Sequence, residues 1–354
     1  MAKKLMKGCE AIGEAAIQAG CRLFFGYPIT PQNEIPEYMA ARLPQVGGTF
    51  VQAESELAAS NMIYGASAAG CRCLTSSSSP GISLMQEAIS YMVGSELPAV
   101  IVNIMRAGPG LGGILPSQAD YRQAVKGGGH GDYRVLVLCP SSVQEAADLV
   151  IDAFDLADRY RNPVLVLGDG LIGQMMEPVE FKPRPPVALP PKDWAANGCK
   201  GRKPNIINSL YLVPEVCEQV NHRIAARYQV WEEKETRHSG HNLDSKYDLL
   251  LVANGSVARV CQTAIDDLKA SGVEVGLFRP ISLYPFPIKA LREAAARAKN
   301  VLVVELNMGQ MRDDVDSFLQ GRVPVHFYGR QGGMMAAPEE VIEQARAILA
   351  GRSN

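Results

Sequence analysis

The sequence predicts an α/β protein, in which a doubly wound domain is followed by a second α/β unit. Short, continuous apolar runs are typical of parallel strands buried on both faces, and the chain contains PAVIVNIM, RVLVLCP and PVLVLGDG. Amphipathic stretches with a helical period separate these runs, and such alternation indicates a doubly wound fold. The 354 residues are enough for two domains, and the 33 glycines suit turns that approach ligands closely.

In the first half of the chain, predicted strands and helices alternate up to about residue 175. Residues 7–20 predict a helix with an alanine-rich face, and CRLFFGYP predicts the strand after it. A second helix is expected to open near Pro31, with Thr30 as its N-cap. The later elements are a helix over 52–69, the strand CRCLTSSS, a helix from Pro80, the strands PAVIVNIM and RVLVLCP, a helix from Ser141 and the strand PVLVLGDG.

A proline-rich segment, EPVEFKPRPPVALPPKDW, ends this series. Proline lacks a backbone N–H and fixes φ, so the segment predicts an extended strap rather than a helix or a central strand. Residues 213–237 then predict a polar helix. The second α/β series begins at Tyr247 and consists of DLLLVANGS, a helix to Ser271, VEVGLFRP, the helix KALREAAARA, NVLVVELN, PVHFYGRQGG and the closing helix PEEVIEQARAILA.

Composition and charge argue against several classes of protein. The net charge of −2 and the lack of a basic stretch disfavour a nucleic-acid or anionic-membrane partner. No apolar segment is long enough for a signal-peptide core or a membrane span, so we expect a cytoplasmic protein. The eight cysteines are scattered without a CxxC pair, so the chain lacks the usual cysteine run that ligates an iron–sulfur cluster.

Three glycine motifs resemble ligand sites. Gly108–Gly113 has GxGxxG spacing, but a proline interrupts it and no helix is predicted directly after it, which disfavours a dinucleotide site. We expect a flexible loop that lines a shared active site. Asp169 and Asn197 imitate a thiamine diphosphate metal motif, but the proline strap lies between them, so we assign no metal ligand to this chain. The GRQGG sequence at 329–333 fits an anion-binding turn and a plain loop equally well.

Three chemically functional side chains follow predicted strands or open predicted helices: Thr30 in GYPITP, Glu56 in QAESELAA and Arg106 in NIMRAGPG. Open α/β sheets bind ligands at the carboxyl ends of their strands. A hydroxyl, a carboxylate and a guanidinium at that edge would be able to hold a small organic acid beside a cofactor. Taken one at a time, however, simpler interpretations are favoured: an N-cap, a first-turn helix acid and a surface charge.

Several segments together resemble the alpha-type subunit of the 2-oxoacid:ferredoxin oxidoreductases. They are GYPITPQNEIPEY, QAESELAASNMIYGASAAG, TSSSSPGISLMQEAISY, MRAGPGLGG with PSQADY, and KGGGHGDY, followed beyond residue 247 by ANGS, FRPISLYPFP and GRQGG. The combination of YPITP, ESE and MRAGPG is more specific than any single glycine motif. The resemblance covers nearly the whole chain and is greatest to the enzymes that act on 3-methyl-2-oxobutanoate (2-ketoisovalerate).

The resemblance implies a division into three parts and a shared active site. Residues 1–180 would form a pyrimidine-binding domain of the thiamine diphosphate type, 181–244 a strap and linker helix, and 245–354 a transketolase-C-terminal-like α/β domain. A beta-type subunit would hold the diphosphate and Mg²⁺ end of the shared thiamine diphosphate. A delta-type ferredoxin-like subunit would carry the [4Fe-4S] clusters, and a gamma-type subunit would complete the assembly. This chain would ligate neither metal nor clusters.

The resemblance also implies roles for individual residues. Glu56 matches the glutamate that hydrogen-bonds N1′ of the aminopyrimidine and activates the cofactor, and we prefer it to Glu54 of the same motif. Arg106 matches the arginine that grips the substrate carboxylate, and Thr30 the threonine beside the substrate. The expected pocket wall and active-site loop comprise Tyr27, Pro28, Ile29, Gly108, Gly110, Gly112 and Gly113.

The implied reaction is the coenzyme A-dependent oxidative decarboxylation of a 2-oxoacid to an acyl-CoA and CO₂, with electrons passed to ferredoxin. Pyruvate and 2-oxoglutarate remain alternative substrates, because enzymes that act on them share YPITP. These motifs offer no second arginine for the distal carboxylate of 2-oxoglutarate. Two rival interpretations belong to other classes: an NAD-binding dehydrogenase that uses Gly108, Gly110 and Gly113, and a non-catalytic assembly subunit.

Overall fold

The computed structural model describes residues 3–352, whose strands form one seven-stranded sheet, one five-stranded sheet and one two-stranded pair. The strands are β1 Lys4–Lys7, β2 Leu23–Gly26, β3 Thr49–Gln52, β4 Cys73–Ser77, β5 Val100–Met105, β6 Leu136–Leu138, β7 Val164–Asp169, β8 Met176–Val179, β9 His238–His241, β10 Leu249–Val252, β11 Val275–Pro280, β12 Ser282–Tyr284, β13 Asn300–Glu305 and β14 Val325–Gly329. The helices are α1 Gly8–Gln18, α2 Glu34–Arg42, α3 Glu56–Ala68, α4 Pro80–Gly94, α5 Tyr121–Lys126, α6 Val143–Tyr160, α7 Gly170–Gln174, α8 Pro214–Lys234, α9 Gly255–Ala270, α10 Ile288–Ala295, α11 Gln310–Leu319 and α12 Pro338–Leu349.

The seven-stranded sheet has the order β12-β6-β7-β5-β4-β2-β3. Its strands are parallel except β12, which pairs antiparallel with β6 at one edge. Strands β5 and β7 are buried along their whole length, as their continuous apolar runs predict. Successive residues of β5 face opposite layers: Val102 packs with α1 and α6, and Ile101 packs with α3 and α4. This is the doubly wound arrangement that the sequence predicts.

The five-stranded sheet has the order β14-β13-β10-β11-β9, with β9 antiparallel to β11 and the other neighbours parallel. Helices α9 and α12 pack on one face of this sheet. Helices α10 and α11 pack on the other, within an apolar cluster that continues into the seven-stranded sheet. The carboxyl ends of β10 and β13 thereby come close to the loops that follow β5.

Chain segments and ion pairs join the two sheets. Strand β9, from the linker region, extends the second sheet, whereas β12, from the C-terminal part, extends the first. The guanidinium of Arg279 on β11 donates two hydrogen bonds, of 2.9 and 2.7 Å, to the carboxylate of Glu145 on α6. The domain limits at residues 180 and 244 stay a prediction.

Two predicted helix starts are wrong. Helix α2 begins at Glu34 with Asn33 as its N-cap, so Thr30 is not the cap. The reason is that side chains from elsewhere bind the backbone carbonyls that precede α2. Arg106 donates to the Thr30 carbonyl, and Gln174 donates to the Pro31 carbonyl. The helix predicted over 52–69 begins only at Glu56, because residues 49–52 pair as strand β3.

The sequence also missed the ten-residue helix α11 and several short elements: β1, β3, β8, β9, β12, α5 and α7. Strands of three or four residues carry no periodic pattern of their own, and pairing with a neighbour decides whether they form. The predicted proline strap, residues 177–194, is confirmed from residue 180 onwards, where 180–213 contain neither helix nor strand. Its first three residues belong instead to β8, which pairs with β1. None of the helices within 3–352 has the length and apolar character needed to cross a membrane.

Candidate active site

The loops after β2, β4 and β5 meet at the carboxyl edge of the seven-stranded sheet. Arg106 Nη1 donates to the carbonyl oxygen of Thr30 over 3.0 Å, which joins the loops after β5 and β2. The backbone N–H of Arg106 donates to Ser79 Oγ over 3.0 Å, which joins the loops after β5 and β4. Thr30 and Arg106 are therefore in direct contact at the edge where open α/β sheets bind ligands.

Glu56 is the first residue of α3, and its side chain is only 5% exposed. The hydroxyl of Ser77, at the end of β4, donates to Glu56 Oε1 over 3.5 Å. Glu54 lies before the helix, which Ser55 caps, and is exposed. The two carboxylates of the ESE sequence thus differ sharply in environment, and burial favours Glu56 as the one with a function.

Gly81, in the first turn of α4, faces the Glu56 carboxylate. A Cβ atom at this position would lie 2.4 Å from Glu56 Oε1 and 2.0 Å from Ser77 Oγ. Next to them, the hydroxyl of Ser78 is fully buried and has no hydrogen-bond partner. Glycine is therefore the residue that leaves room for the carboxylate, and the buried hydroxyl is available for a further polar contact.

Arg106 is 7% exposed, and backbone carbonyls hold its guanidinium. Nη1 and Nη2 donate to backbone carbonyls, those of Thr30 and Leu111, each over 3.0 Å. Its Nε atom is buried without a partner. A guanidinium held in place by neutral acceptors and left with a spare donor suits the binding of an anion.

The turn of residues 27–30 forms an exposed wall beside this arginine. Tyr27 is 37% exposed, Pro28 and the Thr30 side chain are exposed, and Ile29 is half-buried. Gln32, which the motif analysis did not single out, supports the turn: its Nε2 donates to the Tyr27 carbonyl over 3.3 Å. The expected pocket residues therefore lie on one continuous turn.

Residues 107–115 form a closed loop. The Ala107 N–H donates to the Leu115 carbonyl over 3.0 Å, and the Gly113 N–H donates to the Ala107 carbonyl over 2.9 Å. Gly112 has a φ of +62°, and a Cβ there would lie 1.8 Å from the Ala107 oxygen, so the turn requires glycine. Helix α5 begins only at Tyr121, so no helix N-terminus directly follows the glycines as a dinucleotide site requires.

A cavity of about 700 Å³ lies between this loop and the second sheet. Its wall includes Arg106, Gly108 and Gly110. The other predicted site residues are not among the described residues that line it: Tyr27, Pro28, Ile29, Thr30, Glu56, Gly112 and Gly113. The other lining residues are Ser79, Pro80, Ser83, Ala107, Pro109, Ser117, Ala119, Asp120, Arg122, Leu306, Asn307, Met308, Gln310, Gln331 and Gly332. Both sheets thus contribute to the space in front of Arg106.

The GRQGG turn contributes to this cavity through Gln331 and Gly332. Gln331 Nε2 donates to the Asn307 carbonyl over 3.2 Å, and Arg330 pairs with Glu340 at the start of α12. Because Arg330 is paired with the Glu340 carboxylate, the turn contributes no unpaired positive charge to the cavity. It contributes the amide of Gln331 and the backbone of Gly332 instead.

Gln118, in the PSQADY sequence, joins the loop to the second sheet. Its N–H donates to the Leu306 carbonyl and its Oε1 accepts from the Leu306 N–H, each over 3.1 Å. Its Nε2 donates to the Asn254 carbonyl over 3.0 Å, and its own carbonyl accepts from Asn307 Nδ2 over 2.9 Å. The side chain is 2% exposed and contacts the ends of both β10 and β13.

Asp120, from the same sequence, lies behind Arg106. Its Oδ2 accepts from Ser79 Oγ over 2.6 Å and from Asn103 Nδ2 over 2.9 Å. Burial raises the pKa of Asp120, whereas the hydrogen bonds from Ser79 and Asn103 and the charge of Arg106 oppose that rise. Neither Gln118 nor Asp120 was predicted to have a role, although the run of polar residues directly after the glycine loop was the signal for them.

The carboxylate of Asp169, in the GDG sequence, accepts hydrogen bonds from the first turns of α7 and α9. Its Oδ1 accepts from the N–H groups of Leu171 and Ile172, and its Oδ2 accepts from the Ser256 N–H over 2.9 Å. Asn197 lies on the strap, where its Oδ1 accepts from Arg202. Asp169 is therefore a polar residue at the end of β7 whose carboxylate caps α7.

Within residues 3–352, no group of three or more His, Cys, Asp or Glu side chains is arranged to hold a metal ion. All eight cysteines are free thiols, and most are buried. Burial raises the pKa of Cys21 and of Cys261 to about 12. Such thiols are uncharged at neutral pH and behave as small apolar side chains.

Comparison with known families identifies the two units of the fold. Residues 14–233 match the family model described as pyruvate flavodoxin/ferredoxin oxidoreductase, thiamine diphosphate-binding. Residues 248–341 match the model described as pyruvate:ferredoxin oxidoreductase core domain II. These matches confirm the predicted thiamine diphosphate-type domain and the α/β unit that follows it.

Known proteins resemble the chain over almost its full length. The ketoisovalerate oxidoreductase subunit VorB of Methanothermobacter marburgensis is 47% identical, with 100% of both chains covered. The 2-oxoglutarate synthase subunit KorA of Methanocaldococcus jannaschii is 36% identical, with 99% of this chain and 100% of the relative covered. A solved 2-oxoglutarate:ferredoxin oxidoreductase from Magnetococcus marinus, with 2-oxoglutarate, coenzyme A and succinyl-CoA bound, matches with a TM-score of 0.84 at 27% identity.

That match covers 98% of this chain and 65% of the solved chain, so the chain spans about two thirds of that protein. The curated relatives are themselves named as subunits, which indicates that the enzymes of this family work as multi-subunit oxidoreductases. Together with the buried Glu56 and the Thr30–Arg106 contact at the sheet edge, these matches show that the chain belongs to the family of 2-oxoacid:ferredoxin oxidoreductase subunits with a thiamine diphosphate-binding domain.

Proposed function

We propose that this chain is the alpha-type subunit of an oxidoreductase that converts 3-methyl-2-oxobutanoate, coenzyme A and oxidised ferredoxin to 2-methylpropanoyl-CoA, CO₂ and reduced ferredoxin. The observation that carries the choice of substrate is the difference in full-length identity: 46–47% to subunits named for ketoisovalerate, against 35–37% to subunits named for 2-oxoglutarate. Since chain coverage is nearly equal, the difference in identity is not due to alignment length.

The residues around Glu56 fit the aminopyrimidine end of thiamine diphosphate. When bound, this cofactor supplies the carbon nucleophile and the electron sink that oxidative decarboxylation requires. Glu56 would hold N1′ of the aminopyrimidine, because it is a buried carboxyl whose one side-chain donor, Ser77 Oγ, lies at the long distance of 3.5 Å. The room that Gly81 leaves and the unpartnered hydroxyl of Ser78 support this placement.

Arg106 would bind the carboxylate of the 2-oxoacid. Its guanidinium has a buried, unpartnered Nε, and backbone carbonyls hold it in place, so binding an anion needs little reorganisation. Thr30 would lie beside the substrate, and Tyr27, Pro28 and Ile29 would form the wall against its side chain. The glycine loop that contains Gly108, Gly110, Gly112 and Gly113 would enclose it.

The remaining parts of the reaction are assigned to other subunits. The eight cysteines lack the spacing for an iron–sulfur cluster, and the carboxylate of Asp169 is engaged by three backbone N–H groups. We therefore place Mg²⁺ and the diphosphate on a beta-type subunit and the [4Fe-4S] clusters on a delta-type ferredoxin-like subunit. A gamma-type subunit completes the proposed assembly.

A parallel assay of three 2-oxoacids tests this function. The chain, purified with its natural partner subunits, is given coenzyme A, a viologen dye and either 3-methyl-2-oxobutanoate, pyruvate or 2-oxoglutarate. We expect the highest kcat/KM with the branched acid and no dye reduction by the chain alone. A preference for another acid contradicts the proposed substrate. Failure with all three acids, with no thiamine diphosphate in the complex, contradicts the proposed function altogether.

A further inference from the structure

A set of buried hydrogen bonds lies directly behind Arg106. Ser79 Oγ accepts from the Arg106 N–H over 3.0 Å, and its own proton is in reach of Asp120 Oδ2 at 2.6 Å and of the Arg106 carbonyl oxygen at 3.3 Å. The shorter contact favours donation to Asp120. Asn103 completes the set, since its Nδ2 donates to Asp120 Oδ2 over 2.9 Å and its Oδ1 accepts from the Ser79 N–H over 3.0 Å. The Asp120 carboxylate is thus two hydrogen bonds away from the backbone of Arg106.

The backbone of Ser79 is held in an unusual conformation. Its φ of +29° and ψ of −82° lie outside the regions that residues with a side chain normally adopt. Such a conformation persists only where neighbouring groups fix it, and it is found preferentially at functional sites. Here the fixing groups are Asn103, which binds the Ser79 N–H, and Asp120, which binds its hydroxyl.

Residues 118–120, which include Asp120, are also attached to the second sheet. Gln118 contacts the strand ends at Asn254 and Leu306, and Gln310 Nε2 donates to the Ala119 carbonyl over 2.6 Å. Asp120 follows directly, so its position relative to Arg106 is set from both sheets. The backbone that carries the Asp120 carboxylate is thereby held from both sheets, beside the start of the closed glycine loop that follows Arg106.

We propose that Asp120 is a positioning residue, which acts through Ser79 to hold Arg106 in the orientation that binds the substrate carboxylate. The proposal rests on the proposed function of Arg106. By accepting the hydroxyl proton of Ser79, Asp120 turns a lone pair of that hydroxyl towards the Arg106 N–H. With its backbone fixed, the arginine side chain reaches the carbonyls of Thr30 and Leu111 and lines the cavity with its Nε left unpartnered.

The position of the set relative to the cavity agrees with this role. Ser79, Arg106 and Asp120 all line the cavity of about 700 Å³ between the sheets. Residues that only hold the two domains together would not need to line the cavity. Other pairs already hold the domains together, such as Arg279 with Glu145 and Tyr121 with Asp314.

Steady-state kinetics of Asp120→Ala in the assembled enzyme tests the proposal. Because Arg106 binds a carboxylate before and during the reaction, its misplacement acts mainly on KM. We expect the KM for the 2-oxoacid to rise roughly ten- to hundredfold, with kcat within about fivefold of wild type. Asp120→Asn should restore the KM to within about threefold, because the amide oxygen can still accept both hydrogen bonds.

Two further variants separate positioning from folding. Ser79→Ala removes the hydroxyl that relays the contact, so it should raise the KM by a similar factor, and combining it with Asp120→Ala should add little. Tyr121→Phe is the matched control: it removes a hydrogen bond between domains, to Asp314, without touching the set, and should leave the KM unchanged. Thermal unfolding of each variant identifies any that fails to fold.

The outcomes distinguish this proposal from the proposed function. If the wild-type complex oxidises no 2-oxoacid, the proposed function is overturned, and this proposal with it. If the wild type is active and Asp120→Ala keeps its KM, or loses only kcat, the positioning role alone is overturned. The same conclusion follows if Asp120→Asn is as defective as Asp120→Ala, since the hydrogen bonds would then not be the cause.

Discussion

Replacing Gly81 by alanine tests whether the position of the Glu56 carboxylate sets the reaction rate. The new Cβ would lie 2.0 Å from Ser77 Oγ and 2.4 Å from Glu56 Oε1, whereas ordinary van der Waals contact begins at 3.4 Å. The Ser77 hydroxyl must therefore turn away, and the carboxylate must move by about 1 Å. A displacement of that size in a reacting group costs roughly 100-fold in rate, or about 2.7 kcal/mol of activation free energy. We therefore expect kcat to fall by about two powers of ten.

The assay is the 2-oxoacid-dependent reduction of a viologen dye by the assembled complex at saturating thiamine diphosphate. Gly65→Ala is the matched control, because Gly65 lies on the same helix as Glu56, is exposed and has no atom within 4 Å of an added Cβ. That variant should keep wild-type activity and gain about 0.5–1 kcal/mol of stability. Wild-type activity in a folded Gly81→Ala variant would refute the reasoning, since the carboxylate would then tolerate displacement.

Three further predictions concern other parts of the chain. Arg106→Lys should raise the KM for the 2-oxoacid roughly ten- to hundredfold, because an ammonium cannot replace the guanidinium fork; steady-state kinetics measures this, and an unchanged KM contradicts the assigned role. Asp169→Ala leaves three backbone N–H groups without their acceptor and should lower the free energy of unfolding by at least about 2 kcal/mol, measured by urea titration with a wild-type control. At pH 8 a thiol reagent should label the exposed Cys199 in the folded chain but not Cys21 or Cys261, whose pKa values burial raises to about 12; labelling of either before unfolding contradicts their burial.

The parts of the fold that sequence patterns predicted well are those whose pattern is local. The apolar runs of β5 and β7 predict buried parallel strands, and the amphipathic α6 begins within two residues of its predicted start at Ser141. Short elements were missed because their formation depends on distant partners. Strand β12, for example, exists because Ser282 pairs with Leu138, which is far away in the chain.

The candidate site shows the same division. Motif resemblance singled out Glu56, Thr30 and Arg106, and the structure places the last two in contact at the predicted edge. The resemblance included the PSQADY sequence but gave Asp120 no role, and the local pattern before Pro31 wrongly made Thr30 a helix cap. Both failures have one cause: the hydrogen bonds that decide these roles join residues 41 and 76 positions apart, which no local pattern reveals.

The central claim, that this chain supplies the activating carboxylate for 2-oxoacid oxidation, is tested most directly by comparing Glu56→Gln with Glu54→Gln. The two residues are neighbours in one motif, but only Glu56 is buried. In the assembled complex with bound thiamine diphosphate, we expect Glu56→Gln to lose roughly 10²–10⁴-fold in kcat, because an amide cannot share a proton with the cofactor as a carboxyl does. Glu54→Gln should retain wild-type activity. Full activity in Glu56→Gln, or an equal loss in both variants, would contradict the account.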